Sequence, residues 1–396
     1  MKNAQELNSE STPSGDSLDP TGAATRRPMP FRRKFAFTLL LFMFVSLGLE
    51  VAARVGSFVY YGFNPYYLVY GFKAWKTDDG HSVKYRGYFK FPADSVIKFG
   101  TPEPARINNH GFRGEDFDAA KPPGTFRIVC LGASSTFGYR NVDAGTYPAI
   151  LQRIIRAKRP DLKVEVLNCG IPHMNTDHIV AMFRHEVLDY QPDVVTFYEG
   201  YNDATWPLDA TQLERFQSWM DEYSAAYAAV RKGISALGGR LHGRWSKYLP
   251  KIDASTVKKQ LELHRGMTDA NLSSLLQLAS EKGIHPVLIK QALRRPEDLD
   301  KSPPPTYQAA YDSIRRELEE NGAISGSDMA MYIHFDLMRL VEELASRFQA
   351  ALVDNIAMVD DHPEGLLTQV HLSQEANARL AEAIYAAVEP LLPPVR

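Results

Sequence analysis

From Phe126 onward the chain alternates short apolar runs, rich in β-branched residues, with longer stretches of helical period, and few architectures accommodate that alternation. The runs Phe126 to Leu131, Lys163 to Asn168, Asp193 to Tyr198 and Pro286 to Gln291 have the length of buried strands, and Ala351 to Val353 is a shorter fifth. Between and after them lie helical patterns at Tyr147 to Lys158, at Leu272 to Lys282 with Gly283 as its stop, at Tyr307 to Glu320 and at Ser373 to Val388. Parallel strands need a long crossover, and a helix supplies it. The repeat therefore predicts a parallel sheet covered by helices on both faces.

The bulk numbers narrow the function classes. A 396-residue chain that is 44% hydrophobic and 23% charged has material for a real core, which excludes a long disordered protein. The net charge of −2 and the lack of a basic stripe interleaved with aromatics make nucleic acid an unexpected partner. Two cysteines, Cys130 and Cys169, are too few for a disulfide framework. They fall at the ends of predicted neighbouring strands, whose Cβ geometry seldom suits a bridge, and are read as buried thiols.

Residues 1–34 are rich in Ser, Thr, Pro and Gly and end in the basic groups Arg26-Arg27 and Arg32-Arg33-Lys34, which predicts a disordered tail on the cytoplasmic side. Residues 35–53 carry no charge before Glu50 and, at 1.5 Å per residue, reach roughly 28 Å as a helix, enough for a bilayer core. A single-pass signal-anchor is expected rather than a buried core helix, a cleaved leader or a twin-arginine signal. That places the large domain in the periplasm or outside the cell. Residues 54–124 read as an aromatic-rich extended linker, with Tyr60-Tyr61-Gly62-Phe63 among turn signals. Residues 125–392 form the main domain, with a helical insertion at 206–255 that bears Phe216, Trp219, Tyr223 and Tyr227 and is expected over the site.

In an open parallel sheet, ligands bind beyond the carboxyl ends of the strands. Ser134 follows the first predicted strand by three residues, Gly170 follows the second by two and Asn202 follows the third by four, so all three face one crevice. Ser134 alone reads equally as a nucleophile or as a helix cap, and Gly170 alone as a strand-end turn. His371 stands just before the last helix, within reach of the same edge. His173, His178 and His185 do not share one helical face, so no metal site is expected, and no glycine pattern for a dinucleotide or phosphate is present. No cofactor is implied.

The segments Gly132-Ala133-Ser134-Ser135-Thr136-Phe137-Gly138, Gly200-Tyr201-Asn202-Asp203 and Val370-His371-Leu372-Ser373, together with Gly170, resemble the four blocks of the SGNH (GDSL-type) hydrolases, in order, across roughly residues 106 to 390. The lead-in Asn108-Asn109-His110-Gly111-Phe112-Arg113-Gly114 looks like that of membrane-anchored bacterial members. The resemblance implies a three-layer α/β/α sandwich, flavodoxin-like, with a five-stranded parallel sheet in the order 2-1-3-4-5. It implies Ser134 as nucleophile, His371 as base, and the Ser134 N–H, the Gly170 N–H and the Asn202 amide around the oxyanion.

His173 and Asn175, beside Gly170, are expected to contact substrate, and Asp203 to cap a helix or brace a loop. Two positions depart from the family pattern: Ala133 replaces the usual Asp before the serine, and Thr368 stands where an Asp usually orients the histidine. The Thr368 hydroxyl or a backbone carbonyl, a substitute carboxylate from Asp360, Asp361 or Glu364, or loss of activity are the three outcomes. The activity implied is hydrolysis of small acyl esters, acetyl above all, with acetylated cell-surface polysaccharide as the substrate suggested by location. An O-acyltransferase with the same site, and a catalytically silent scaffold, are the alternatives.

Overall fold

The structure is a computed structural model that describes residues 30–60, 83–85, 88–97, 100–206, 208, 220, 224–227, 229–230 and 251–395. The described chain divides into an amino-terminal unit ending at Val51 and a body beginning at Ala52.

Five strands form the central sheet: β1 (Thr125–Gly132), β2 (Lys163–Gly170), β3 (Val194–Tyr198), β4 (His285–Lys290) and β5 (Ala351–Asp354). All pairings are parallel and the order is β2-β1-β3-β4-β5, as expected from the sequence. Ile128, Val129, Cys130 and Leu131 of β1 have no solvent exposure, because a central strand covered on both faces needs apolar side chains at every position.

Helices α1 (Tyr147–Lys158) and α5 (Gln374–Val388) pack together on one side, while α2 (Thr176–His185), α3 (Ala254–Glu281) and α4 (Gly326–Arg347) pack together as the second group. Buried Leu272, Leu275, Leu276 and Ala279 of α3 and Leu337, Leu340, Val341 and Leu344 of α4 are spaced three and four apart, the period that puts one helix face against the core.

Several expectations are revised. Helix α3 begins at Ala254, well before Leu272, with Asp253 capping it through the N–H groups of Ser255 and Thr256. Its buried stripe runs through Val257, His264 and Thr268, and two polar members of that stripe hide the period from an apolar count. The apolar helix extends over Phe31–Tyr60 rather than 35–53, since no proline interrupts the turns on either side.

Residues 54–60 are therefore helical, not extended. Further on, Val83–Tyr85 pairs with Tyr88–Lys90 as a hairpin, and Val96–Ile97 pairs with Ala105–Arg106. Tyr88, Phe91, Ile97, Phe112 and Phe117 are buried, and the Glu186 carboxylate accepts hydrogen bonds from Tyr88, Tyr190 and Lys90, so this segment packs as part of the body. The tail and most of the 206–255 insertion lie outside the described residues.

Both cysteines are free and buried. Cys130 is in register with Asn168, and Leu131 with Cys169, so the two thiols leave the sheet on opposite faces and cannot bridge.

Candidate active site

Strand β1 ends in Gly132, and Ser134 opens a single helical turn, Ser134–Phe137. That turn sits directly on the sheet edge because two glycines make room. A Cβ on Gly132 would lie 2.1 Å from Thr136 Oγ1, and one on Gly170 would lie 2.2 Å from the Phe137 nitrogen. Gly138 closes the turn in the left-handed conformation, φ 86°. The buried Arg113 guanidinium then donates to the carbonyls of Phe137 and Gly138 at 2.9 Å and of Asn141 at 2.8 Å, while its Nε pairs with Asp143 at 2.7 Å. Arg113 thus satisfies the carbonyls that a one-turn helix leaves open.

His371 comes from the opposite end of the sequence on the loop before α5. Leu367 N–H donates to the His371 carbonyl at 2.8 Å and Ser373 N–H to Gly365 at 2.8 Å, which closes the loop on itself. Two side chains near the serine hold its flanks: Ser135 Oγ donates to the Val370 carbonyl at 3.1 Å, and Asn141 Nδ2 to the Leu372 carbonyl at 2.9 Å.

The result is a Ser134 Oγ to His371 Nε2 distance of 2.9 Å and a Thr368 Oγ1 to His371 Nδ1 distance of 2.6 Å. Thr368 Oγ1 also accepts from the His371 N–H at 3.2 Å, so its lone pairs face the histidine. With Nδ1–H donating to Thr368, Nε2 carries the free lone pair and Ser134 O–H donates to it. The Thr368 hydroxyl is the group beside His371 Nδ1, and Asp360, Asp361 and Glu364 make no hydrogen bond to it. Asp360 accepts from Tyr307 N–H at 3.0 Å, Asp361 is exposed, and Glu364 lies 3.6 Å from Arg379.

Burial, then the charge of Arg140 and then His173, push the His371 pKa down to about 4. The imidazole is neutral at physiological pH and able to accept a proton, but no carboxylate stabilises its cation.

The remaining expected residues separate into two groups. Ser134, His173, Asn202, Thr368 and His371 line one cleft of about 400 Å³ at the carboxyl edge of the sheet. Asn202 Nδ2 donates to the Met174 carbonyl at 2.9 Å, which fixes the amide and leaves its second N–H to be directed elsewhere. Gly170 and Asn175 do not line this cleft. Gly170 N–H donates to Asn168 Oδ1 at 3.0 Å, and this glycine serves the close packing of β2 under the serine turn.

Asn175 is buried and caps α2 by accepting from His178 N–H at 3.2 Å, with the His178 ring bonded back to it, so it supports the helix rather than facing substrate. Asp203 holds the amino terminus of α2: its carboxylate accepts from the Thr176 hydroxyl at 2.6 Å and from the Thr176 N–H at 3.2 Å. A larger cavity of about 570 Å³, lined by Arg106, Arg113 and Asn168 among others, contains none of the cleft residues.

Sequence reasoning missed a second set of side chains. Gln291, just past β4, accepts from Tyr201 N–H at 2.7 Å and donates to Ser135 Oγ at 3.1 Å, and Tyr201 OH donates to Gln369 at 2.9 Å. One polar chain therefore links the serine turn, the Asn202 segment and the histidine loop. Glu199, at the end of β3, is buried; desolvation, and then the Asp203 charge, raise its pKa to about 8. Its carboxylate accepts from Asn202 N–H at 2.8 Å. The only signal for these groups was their position at strand ends.

A doubly wound parallel sheet with a serine hydroxyl aligned on a histidine at its carboxyl edge defines the class as ester hydrolase. The model of the GDSL-like lipase/acylhydrolase family matches residues 130–379, and the chain belongs to that family.

Among solved structures, the chain is similar to an acetyl xylan esterase from Geobacillus stearothermophilus, with 16% identity over 70% of this chain and 100% of that one and a TM-score of 0.40. A putative lipolytic protein of the G-D-S-L family from Desulfitobacterium hafniense shares 15% identity over 66% and 98% of the two chains, with a TM-score of 0.37. An alpha/beta hydrolase enzyme from the metagenome of Lake Arreo, Spain, shares 16% over 68% and 97%, with the same score. At these levels none of them specifies what this chain acts on. No curated protein matches the chain.

Proposed function

We propose that this protein is a membrane-anchored serine esterase that removes small acyl groups, acetyl in the first place, from esters at the cell surface, with Ser134 as nucleophile and His371 as base. The observation that carries the reading is the aligned row Ser134 Oγ, His371 Nε2, His371 Nδ1 and Thr368 Oγ1, with hydrogen-bond distances of 2.9 and 2.6 Å at its two ends.

In the reaction, Ser134 Oγ bonds to the acyl carbon while its proton passes to Nε2, and the carbonyl π electrons move onto oxygen. The Ser134 backbone N–H and the second Asn202 Nδ2–H are the donors suited to that oxyanion. Collapse breaks the bond to the alcohol, which leaves with the Nε2 proton. Water, deprotonated by the same nitrogen, then releases the acid and restores Ser134. Gly170 contributes by letting the serine turn sit on the sheet, and Thr368 by holding the tautomer without adding charge.

The location rests on the Phe31–Val59 helix, which is long and apolar enough to cross a bilayer and shows Phe35, Leu40, Phe44 and Leu47 to its surroundings. With Arg32, Arg33 and Lys34 on the cytoplasmic side, the esterase body stands in the periplasm or outside the cell, where acetylated polysaccharide is a fitting substrate. The test is release of acetate from acetylated polysaccharide by the full chain and by Ser134→Ala. Acetate release confined to the unsubstituted protein supports the reading; none from either, with acetyl transfer to an added sugar instead, would replace it with an acyltransferase.

A further inference from the structure

We propose that the cleft takes esters whose alcohol part carries an anionic group, a carboxylate or a phosphate, close to the acylated oxygen, and that Arg140 is the side chain that binds this group. The inference rests on the esterase reading and names its substrate class as acylated acidic sugars rather than neutral ones.

Three observations converge on Arg140. The first is backbone conformation. Five non-glycine residues among those described have positive φ, and two of them, Arg140 at 64° and His173 at 63°, line this one cleft. A side chain in the left-handed region costs about 1–2 kcal/mol relative to glycine. Strain that places two of the cleft's three basic residues, Arg140 after the serine turn and His173 after β2, points to a use for those side chains.

The second is charge. None of the residues lining the cleft is an aspartate or a glutamate, and Thr368 replaces the one acid that the family pattern would supply. Arg140 is exposed and forms no ion pair among the described residues. Its guanidinium lies 5.8 Å from the centroid of the Tyr139 ring, and that ring lies 4.5 Å from the His371 imidazole. The cation thus lies within cation–π range of the ring that packs on the His371 imidazole.

The third is what the cation costs in its absence of a partner. A positive charge beside the general base opposes formation of the imidazolium, so Arg140 works against acyl transfer as long as nothing neutralises it. An anionic group bound there removes that penalty when the correct substrate is in place, and the planar fork of an arginine suits either a carboxylate or a phosphate. Binding energy at that anion would then appear as faster chemistry as well as tighter binding.

The experiment compares kcat/KM of the full chain in detergent for three monoacetylated sugars: a neutral methyl hexoside, a hexuronic acid and a hexose phosphate, with p-nitrophenyl acetate as reference ester. The expected result is a preference of at least about tenfold for one or both anionic esters. It should shrink as salt is raised to about 0.5 M, be abolished in Arg140→Gln and be largely restored in Arg140→Lys. Preference for the uronate identifies a carboxylate ligand and preference for the phosphate ester identifies a phosphate. Equal kcat/KM on neutral and anionic sugars, with Ser134-dependent turnover of p-nitrophenyl acetate intact, overturns the anion site alone. No Ser134-dependent turnover of any ester overturns the esterase reading and this inference with it.

Discussion

Thr368 sets a neutral hydroxyl 2.6 Å from His371 Nδ1, which in the proposed mechanism accepts the Nδ1–H without adding negative charge. Its hydroxyl reproduces the tautomer but not the stabilised cation, and the two effects are separable by substitution. Thr368→Asp restores the charge, so the acid limb of kcat/KM, which follows the free-enzyme base, should move up by at least about one pH unit from its place near pH 4, with a higher rate at neutral pH. Thr368→Val removes the acceptor while keeping the shape, and should lower kcat by roughly 10- to 100-fold with little change in KM.

The sign of the wild-type profile follows from the depressed pKa: with His371 as the proposed base, activity should persist down to about pH 4 and be lost below it as the imidazole is protonated. Ser134, Asn202 and His371 were legible because each belongs to a short block with its own chemistry. Arg113, Ser135, Asn141 and Gln291 act through hydrogen bonds to backbone carbonyls or to other side chains far away in sequence, such as Ser135 to Val370, and no local pattern announces such a partner.

At the scale of elements, the strands and their order were readable because alternation of buried strand and helix constrains the chain at every turn. The first half of α3 was not, since His264 and Thr268 occupy its buried stripe. Gly170 was legible as a special residue but not for its use, which depends on a turn 34 residues earlier resting on it. Gly170→Ala should therefore push the serine turn off the sheet edge, costing about 2–4 kcal/mol of stability in denaturant melts and most of the activity.

Buried Glu199 at the end of β3 makes a different prediction. Its folded pKa of about 8 lies above the ordinary value of 4.5, so its contribution to stability is full below about pH 4.5 and is lost as pH rises through about 8. The free energy of unfolding should fall between pH 6 and pH 9 by an amount on the order of a few kcal/mol, and Glu199→Gln should flatten that slope. An equal slope in the variant would remove Glu199 as the cause.

At the scale of the whole molecule, a family domain over residues 130–379 follows a helix, Phe31–Tyr60, whose large apolar side chains are exposed. If that helix is the anchor, the full chain should sediment with membranes, resist extraction by carbonate and dissolve in detergent; release by carbonate would contradict the anchor. The catalytic account stands apart from that result and is tested most directly by one measurement, the hydrolysis of p-nitrophenyl acetate by the full chain and by Ser134→Ala under the same conditions. The account predicts steady turnover that falls at least about 1000-fold in the variant, with the fold intact by circular dichroism. Equal rates in the two proteins would contradict it.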